Sequence, residues 1–149
     1  MKRNSKLAAS LHALVHMAQA PERAMTSDRI AGWLNTNPVV VRRMIAGLRE
    51  AGILSATRGP GGGLMLARPA SEITLAEVVE ALGERLATFG SEAESPGCLV
   101  EAAVNAVLDD TRDDIERLLM ARMSTVSLAD LAARCGPGVV THMEKMHGH

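Results

Sequence analysis

The residues of this 149-residue chain best placed to do chemistry lie in the run TRGPGGGLML, Thr57 to Leu66. Arg58 precedes Gly59, Gly61, Gly62 and Gly63. A glycine-rich loop can cradle phosphate with its backbone N–H groups, or it can close a tight hairpin. Nucleotide chemistry asks for more than glycines. A P-loop continues into Gly-Lys-Ser/Thr, with the lysine on the terminal phosphates and the hydroxyl on magnesium. Here Leu64 and Met65 follow Gly63. The dinucleotide pattern G-x-G-x-x-G fails at its last position, which is Leu64. No Ser/His/Asp or paired-carboxylate constellation stands elsewhere, so the expectation is a protein that is not an enzyme.

Thiols and imidazoles are the other reactive groups. Cys98 and Cys135 are far apart and in no paired-ligand spacing, which argues against a disulfide framework or a zinc knuckle. Cys98 follows Pro96-Gly97 at an expected helix N-terminus, where a thiol pKa is lowered; Glu92, Glu94 and Glu101 oppose that. It is a possible redox sensor. His12 and His16 lie one helical turn apart, a weak metal pair, whereas His142, His147 and His149 fall in the tail. No metal site is expected.

Charge points to a polyanionic partner. Residues 1–68 hold ten Lys/Arg and three Asp/Glu, a balance of +7; residues 69–149 hold six and fourteen, a balance of −8. Together they give the net −1 of the whole chain. A basic half and an acidic half suggest one surface for nucleic acid and another for a different task. Apolar residues make up 47% of the chain, but with one Phe, one Trp and no Tyr the core must be aliphatic, which suits packed helices. No apolar run approaches the ~20 residues of a membrane span. His12 and His16 break the apolar stretch near the N-terminus, which reads as a structural helix, not a signal peptide, in a cytoplasmic protein.

These groups need elements to position them. Leu7, Leu11, Leu14 and Ala18 mark a first amphipathic helix ending near Pro21. Thr26 or Ser27 caps a short second helix carrying Ile30, Ala31, Leu34 and a core Trp33. Asn37 caps a third, running from Pro38 to Ala51 with a stripe of Val41, Met44, Ile45 and Leu48. The runs ILSAT and LMLAR, joined through the glycines, make a β-hairpin. Thr74 and Glu77 form a capping box for a fourth helix. A breaker-rich segment precedes a long helix from Cys98 to Met123, ~40 Å in length, and a short closing helix follows in TVSLADLAARCG.

Helix, capped helix, Asn-Pro-initiated helix and Gly-tipped hairpin together read as a winged helix-turn-helix. The fold class is mainly α with a small β-hairpin wing, plus a long dimerisation helix. In such a unit the third helix enters the major groove. Burying its stripe leaves Val39, Val40, Arg42 and Arg43 outward, for thymine methyls, guanine edges or phosphates. Arg58, with Gly59, Gly61 and Gly62, forms a tip able to enter a narrow minor groove. Arg3 and Lys6, and the Thr26–Ser27 helix start, are expected at phosphates.

The run LREAGILSATRGPGGGLMLARPASEITLAEVVEAL resembles the signature of the Rrf2 family of bacterial winged-helix regulators: a wing glycine cluster, then LARP, then EITLAEV. The likeness extends over about residues 1–135. It implies a DNA-binding transcription regulator, and the expectation is a repressor on a palindromic operator. It further implies a homodimer built mainly on the long helix, through Val100, Val104, Val107, Ile115, Leu118 and Leu119. Cluster-binding members carry three cysteines after the fourth helix; this chain has Cys98 alone there, which places it in a cluster-free branch with no cofactor. The expected organisation is a DNA-binding domain over residues 1–83 (helix 38–51, wing 53–68) and a linker or sensor loop over 84–97. A dimerisation and closing-helix segment over 98–135 and a mobile tail over 136–149 complete it. The other readings are a thiol redox regulator using Cys98 and a winged-helix adaptor that binds protein instead of DNA.

Overall fold

The computed structural model describes residues 5–89 and 97–136. Arg3, Glu92, Glu94 and the histidines of the tail lie outside the described residues. Helix α1 spans Ser5–Gln19, α2 Ser27–Leu34 and α3 Pro38–Glu50. Strands β1 (Leu54–Thr57) and β2 (Gly63–Leu66) pair antiparallel, with Leu54 opposite Leu66 and Thr57 opposite Gly63. A 3-10 turn at Ala70–Glu72 leads into α4 (Leu75–Leu82). Helices α5 (Leu99–Met123) and α6 (Leu128–Cys135) complete the described chain.

Local chemistry accounts for the boundaries. The Thr26 hydroxyl accepts from the Arg29 N–H at 3.2 Å, which decides the cap of α2 in favour of Thr26. The Asn37 side chain accepts from Val39 N–H at 2.9 Å, and Pro38 occupies the first turn of α3, where no N–H is needed. Thr74 and Glu77 close the capping box of α4 from both sides. The Thr74 backbone N–H, and after it the Arg68 guanidinium at 2.7 Å, hold the Glu77 carboxyl below the usual carboxylate range. Ser127 and Asp130 repeat the box at α6.

One aliphatic core joins these elements. Leu14, Met17, Ile30, Val41, Leu48, Ile53, Ile73, Val78 and Leu128 are almost fully removed from water. Leu128 belongs to α6, so the closing helix packs into the same core as the helix-turn-helix. Backbone bonds reinforce it: Leu75 N–H donates to Val126 C=O and Leu128 N–H to Ile73 C=O, each at 2.9 Å. The sequence pattern groups α6 with the long helix; its packing places it with α1 and the 3-10 turn.

Trp33 differs from its expected core position. It is half-buried, with its ring 5.2 Å from that of His16 and the Arg29 guanidinium 5.3 Å over it. His16, not Trp33, is the buried ring, 4% exposed. Indole is large enough to cover a neighbour while keeping one edge in water. Burial, and secondarily His12, hold the His16 imidazole below its ordinary pKa.

Candidate nucleic-acid interface

Helix α3 buries Val41, Met44, Ile45 and Leu48 along one stripe. Geometry then turns the intervening positions outward. Arg42 and Arg43 are exposed, and Val39 and Val40 are 52% and 40% exposed. Two β-branched apolar side chains beside two guanidiniums in water are an uncommon pairing, and base edges with thymine methyls suit it. Val40 also lines a cleft against α1, but that contact does not bury it. Among the described residues Arg42, Arg43 and Arg58 make no ion pair.

The wing is held from below. Leu64 exchanges two backbone hydrogen bonds with Met25, at 2.9 and 2.8 Å, which ties β2 to the segment entering α2. At the far end the Thr57 hydroxyl accepts from Gly63 N–H at 3.2 Å, and Gly62 N–H donates to Gly59 C=O at 2.8 Å. Gly59 and Gly61 take positive φ. A Cβ on Gly62 would meet the Gly59 carbonyl oxygen at 2.8 Å, so the turn itself requires that glycine. The cluster therefore makes the tight tip, and Arg58 projects from it exposed.

Two expected contacts carry structural duties. The Thr26 side chain is the α2 cap, with Ser27 exposed beside it. The Lys6 ammonium donates to Leu82 C=O at 3.1 Å, complementing the negative end of α4. Nothing in the local pattern around Lys6 indicates a partner 76 residues away.

Helix α5 presents the opposite surface. Its 25 residues include none that is buried. Val100 is 73% exposed, Val107 65% and Leu118 72%; Val104 and Ile115 are exposed and Leu119 is half-buried. Leu99, exposed as well, was not among the expected interface residues; it begins the same apolar surface. The start of the linker is fastened to this helix. Glu116 accepts from Leu86 N–H at 3.1 Å and from Ala87 N–H at 2.8 Å, and Arg112 donates to Phe89 C=O at 3.3 Å. Cys98 is exposed at the N-cap of α5 and makes no side-chain capping bond; Cys135 is exposed and free.

Comparison with known proteins fits this geometry. The Rrf2 family, described as iron-dependent transcriptional regulators, matches residues 3–134. The chain belongs to the Rrf2 family. It is 35% identical over 129 residues to YwnA of Bacillus subtilis, a candidate HTH-type transcriptional regulator, covering 86% of this chain and 95% of YwnA. A crystal structure of a candidate DNA-binding protein is similar at a TM-score of 0.64 and 32% identity, covering 85% of this chain and 97% of the other. The structure of CymR, the global cysteine regulator of B. subtilis, shares the fold at a TM-score of 0.61 and 21% identity, covering 90% and 98%. YwnA and CymR are described as regulators, and this Rrf2 chain is a transcriptional regulator with a winged-helix fold, not an enzyme.

The family description raises iron, and the donor set tests it. Among the described residues no group of three His, Cys, Asp or Glu side chains could hold a metal ion. Cys98 and Cys135 stand at opposite ends of the α5–α6 segment, and a cluster ordinarily takes four ligands. The described part of this chain does not fit an iron–sulfur cluster. No described helix is long and apolar enough to cross a membrane.

Proposed function

We propose that this Rrf2 protein is a homodimeric repressor that binds a palindromic operator. Residues 1–83 form the DNA-binding unit: α3 reads the major groove through Val39, Val40, Arg42 and Arg43, and Arg58 on the wing tip enters the neighbouring minor groove. Lys6 and the Thr26–Ser27 start of α2 lie at phosphates, with Arg3 beside them. Residues 98–135 supply the dimer, chiefly through α5. The observation that carries the reading is the outward face of α3, where guanidiniums without ion-pair partners stand beside exposed valines. The winged-helix relative described as DNA-binding supports it.

A palindrome follows from the pairing of two identical reading heads, since half-site symmetry mirrors protein symmetry. The dimer reading is supported by α5, a 25-residue helix with Leu99, Val100, Val107 and Leu118 in water. Contiguous apolar surface of that kind marks an interaction site. The cluster-free reading rests on the single cysteine between α4 and the body of α5.

A gel shift on the DNA upstream of the protein's own gene, at two salt concentrations, tests the DNA reading. A shift that weakens steeply with salt is expected, because phosphate contacts release counterions. No shift at low salt overturns it. Anaerobically purified protein is expected to be colourless; stoichiometric iron with visible absorbance would overturn the cluster-free reading.

A further inference from the structure

A cleft of about 240 Å³ opens between α1, the α2–α3 turn and α3. Its lining includes the polar side chains of Lys6, Asn35 and Thr36 and the aliphatic ones of Leu34, Val40 and Met44. Among the described residues Lys6 is the only charged one lining it, and none of them is a carboxylate. The Lys6 ammonium has three donors, and among the described residues one is engaged, on the Leu82 carbonyl. Among the described residues Lys6 makes no ion pair. The cleft thus combines a half-buried lysine, a hydroxyl and an amide with aliphatic side chains in its lining.

We propose that this cleft binds a small aliphatic monocarboxylate, with the carboxylate on Lys6 and the alkyl chain on Leu34, Val40 and Met44. Volume sets the size. At about 240 Å³ the cleft lies below the roughly 300–1,000 Å³ of pockets that take drug-sized ligands, which suits a chain of a few carbons. The apolar part of the lining favours such a ligand over a bare inorganic anion, which would leave those side chains facing its oxygens.

The site has two connections to the rest of the molecule. Val40 belongs both to the cleft and to the outward face of α3, so an occupant changes what α3 presents. Lys6 joins the cleft to the end of α4, beyond which the 86–87 backbone is fastened to α5 by Glu116. A carboxylate on the ammonium shares it with the Leu82 carbonyl, which links the cleft to the end of α4. The effect on operator affinity rests on the DNA-binding reading; the binding site itself does not.

Isothermal titration calorimetry on the full-length dimer tests the site, with hexanoate, acetate, 1-hexanol and inorganic phosphate as probes. Hexanoate is expected to bind saturably, one per chain, with the other three at least about tenfold weaker, since each lacks the charge or the alkyl chain. Lys6→Met is expected to weaken hexanoate about tenfold or more by removing a charge-assisted hydrogen bond. Ala9→Leu, which fills the cleft from α1, is expected to abolish binding with an unchanged unfolding temperature. No saturable hexanoate binding, equal binding to both variants, or phosphate binding as tightly as hexanoate each overturns the proposal; the last would make the cleft a seat for DNA phosphate. In the gel shift, saturating hexanoate is expected to change operator affinity at least about fivefold, which corresponds to a coupling at the low end of the usual range. An unmoved affinity overturns the regulatory half, whereas failure of the DNA-binding reading shows itself as no shift before hexanoate is added.

Discussion

Helix α3 buries Val41, Met44, Ile45 and Leu48 within its own chain and leaves Arg42 and Arg43 in water without ion-pair partners among the described residues. Helix α5 does the reverse. It satisfies charges locally, with Arg112 on Asp109 at 2.8 Å, Arg117 on Asp114 and Arg85 reaching Asp113 at 3.2 Å, and it leaves Val100, Val107 and Leu118 exposed. What each surface leaves unmatched indicates what it meets. Free guanidiniums on a rigid, cored helix suit a polyanion, whose charge they can neutralise. An exposed aliphatic stripe on a helix with internally paired ions suits another apolar surface. The acidic half is therefore not simply a counterweight to the basic half, because its charges are partly neutralised by its own arginines.

The strongest way to break this contrast is to put charge on the α5 stripe. Val104→Glu with Leu118→Glu should cost the dimer about 4 kcal/mol or more, a dissociation constant raised about a thousandfold. Light scattering after size exclusion should then find monomers that keep native helix content. A dimer of unchanged stability would show that α5 is not the interface. Next in size are the free cations. Arg43→Ala and Arg58→Ala should each weaken operator binding by about 1–3 kcal/mol and leave the dimer intact. A residue on phosphate should also lower the salt slope by about 1, whereas one on a base edge should relax specificity. Wild-type affinity in both variants would remove α3 and the wing from the interface.

A smaller effect concerns why α3 is rigid. A Cβ on Gly47 would stand 2.6 Å from the Ala81 carbonyl oxygen of α4, a backbone atom that cannot swing aside. Gly47→Ala should therefore cost about 1–2 kcal/mol of stability despite better helix propensity, read as a drop of a few degrees in unfolding temperature. An Ala introduced at Gly32, where a Cβ has open space, is the control and should not lower stability. The smallest effect is titration of His16. Its folded pKa lies below the ordinary 6.5, so the unfolded chain binds the proton more readily. Stability should be full above that value and fall as pH drops below it. Unfolding temperatures at pH 7.5 and 5.5 should differ less in His16→Met than in wild type; an equal difference would assign the pH dependence elsewhere.

The local signals were legible because they act over three or four residues. Asn37, and Thr74 with Glu77, lie within hydrogen-bond reach of the N–H groups they cap, so those two helix starts follow from residue order. The α3 stripe was legible for the same reason, since a 3.6-residue period fixes which side chains share a face. Periodicity names a face without naming what covers it. That is why Trp33 reads as core while His16 occupies the buried position beneath it. It is also why Lys6 on Leu82, Glu116 on the 86–87 backbone and Leu128 in the common core leave no trace in the linear pattern.

The sequence by itself determined the element order, the caps at Asn37 and Thr74, the glycine tip with its arginine, the division of charge, and the likeness to a family to which the chain indeed belongs. These depend on nearest neighbours along the chain or on motifs that survive as words. Only the tertiary structure decided which cations are left without ion pairs among the described residues, that α6 closes the core of the helix-turn-helix, and that the segment after α4 is fastened to α5. Those outcomes depend on contacts between residues tens of positions apart. Such contacts are set when apolar faces find one another and polar groups must then find partners, which no local spacing records.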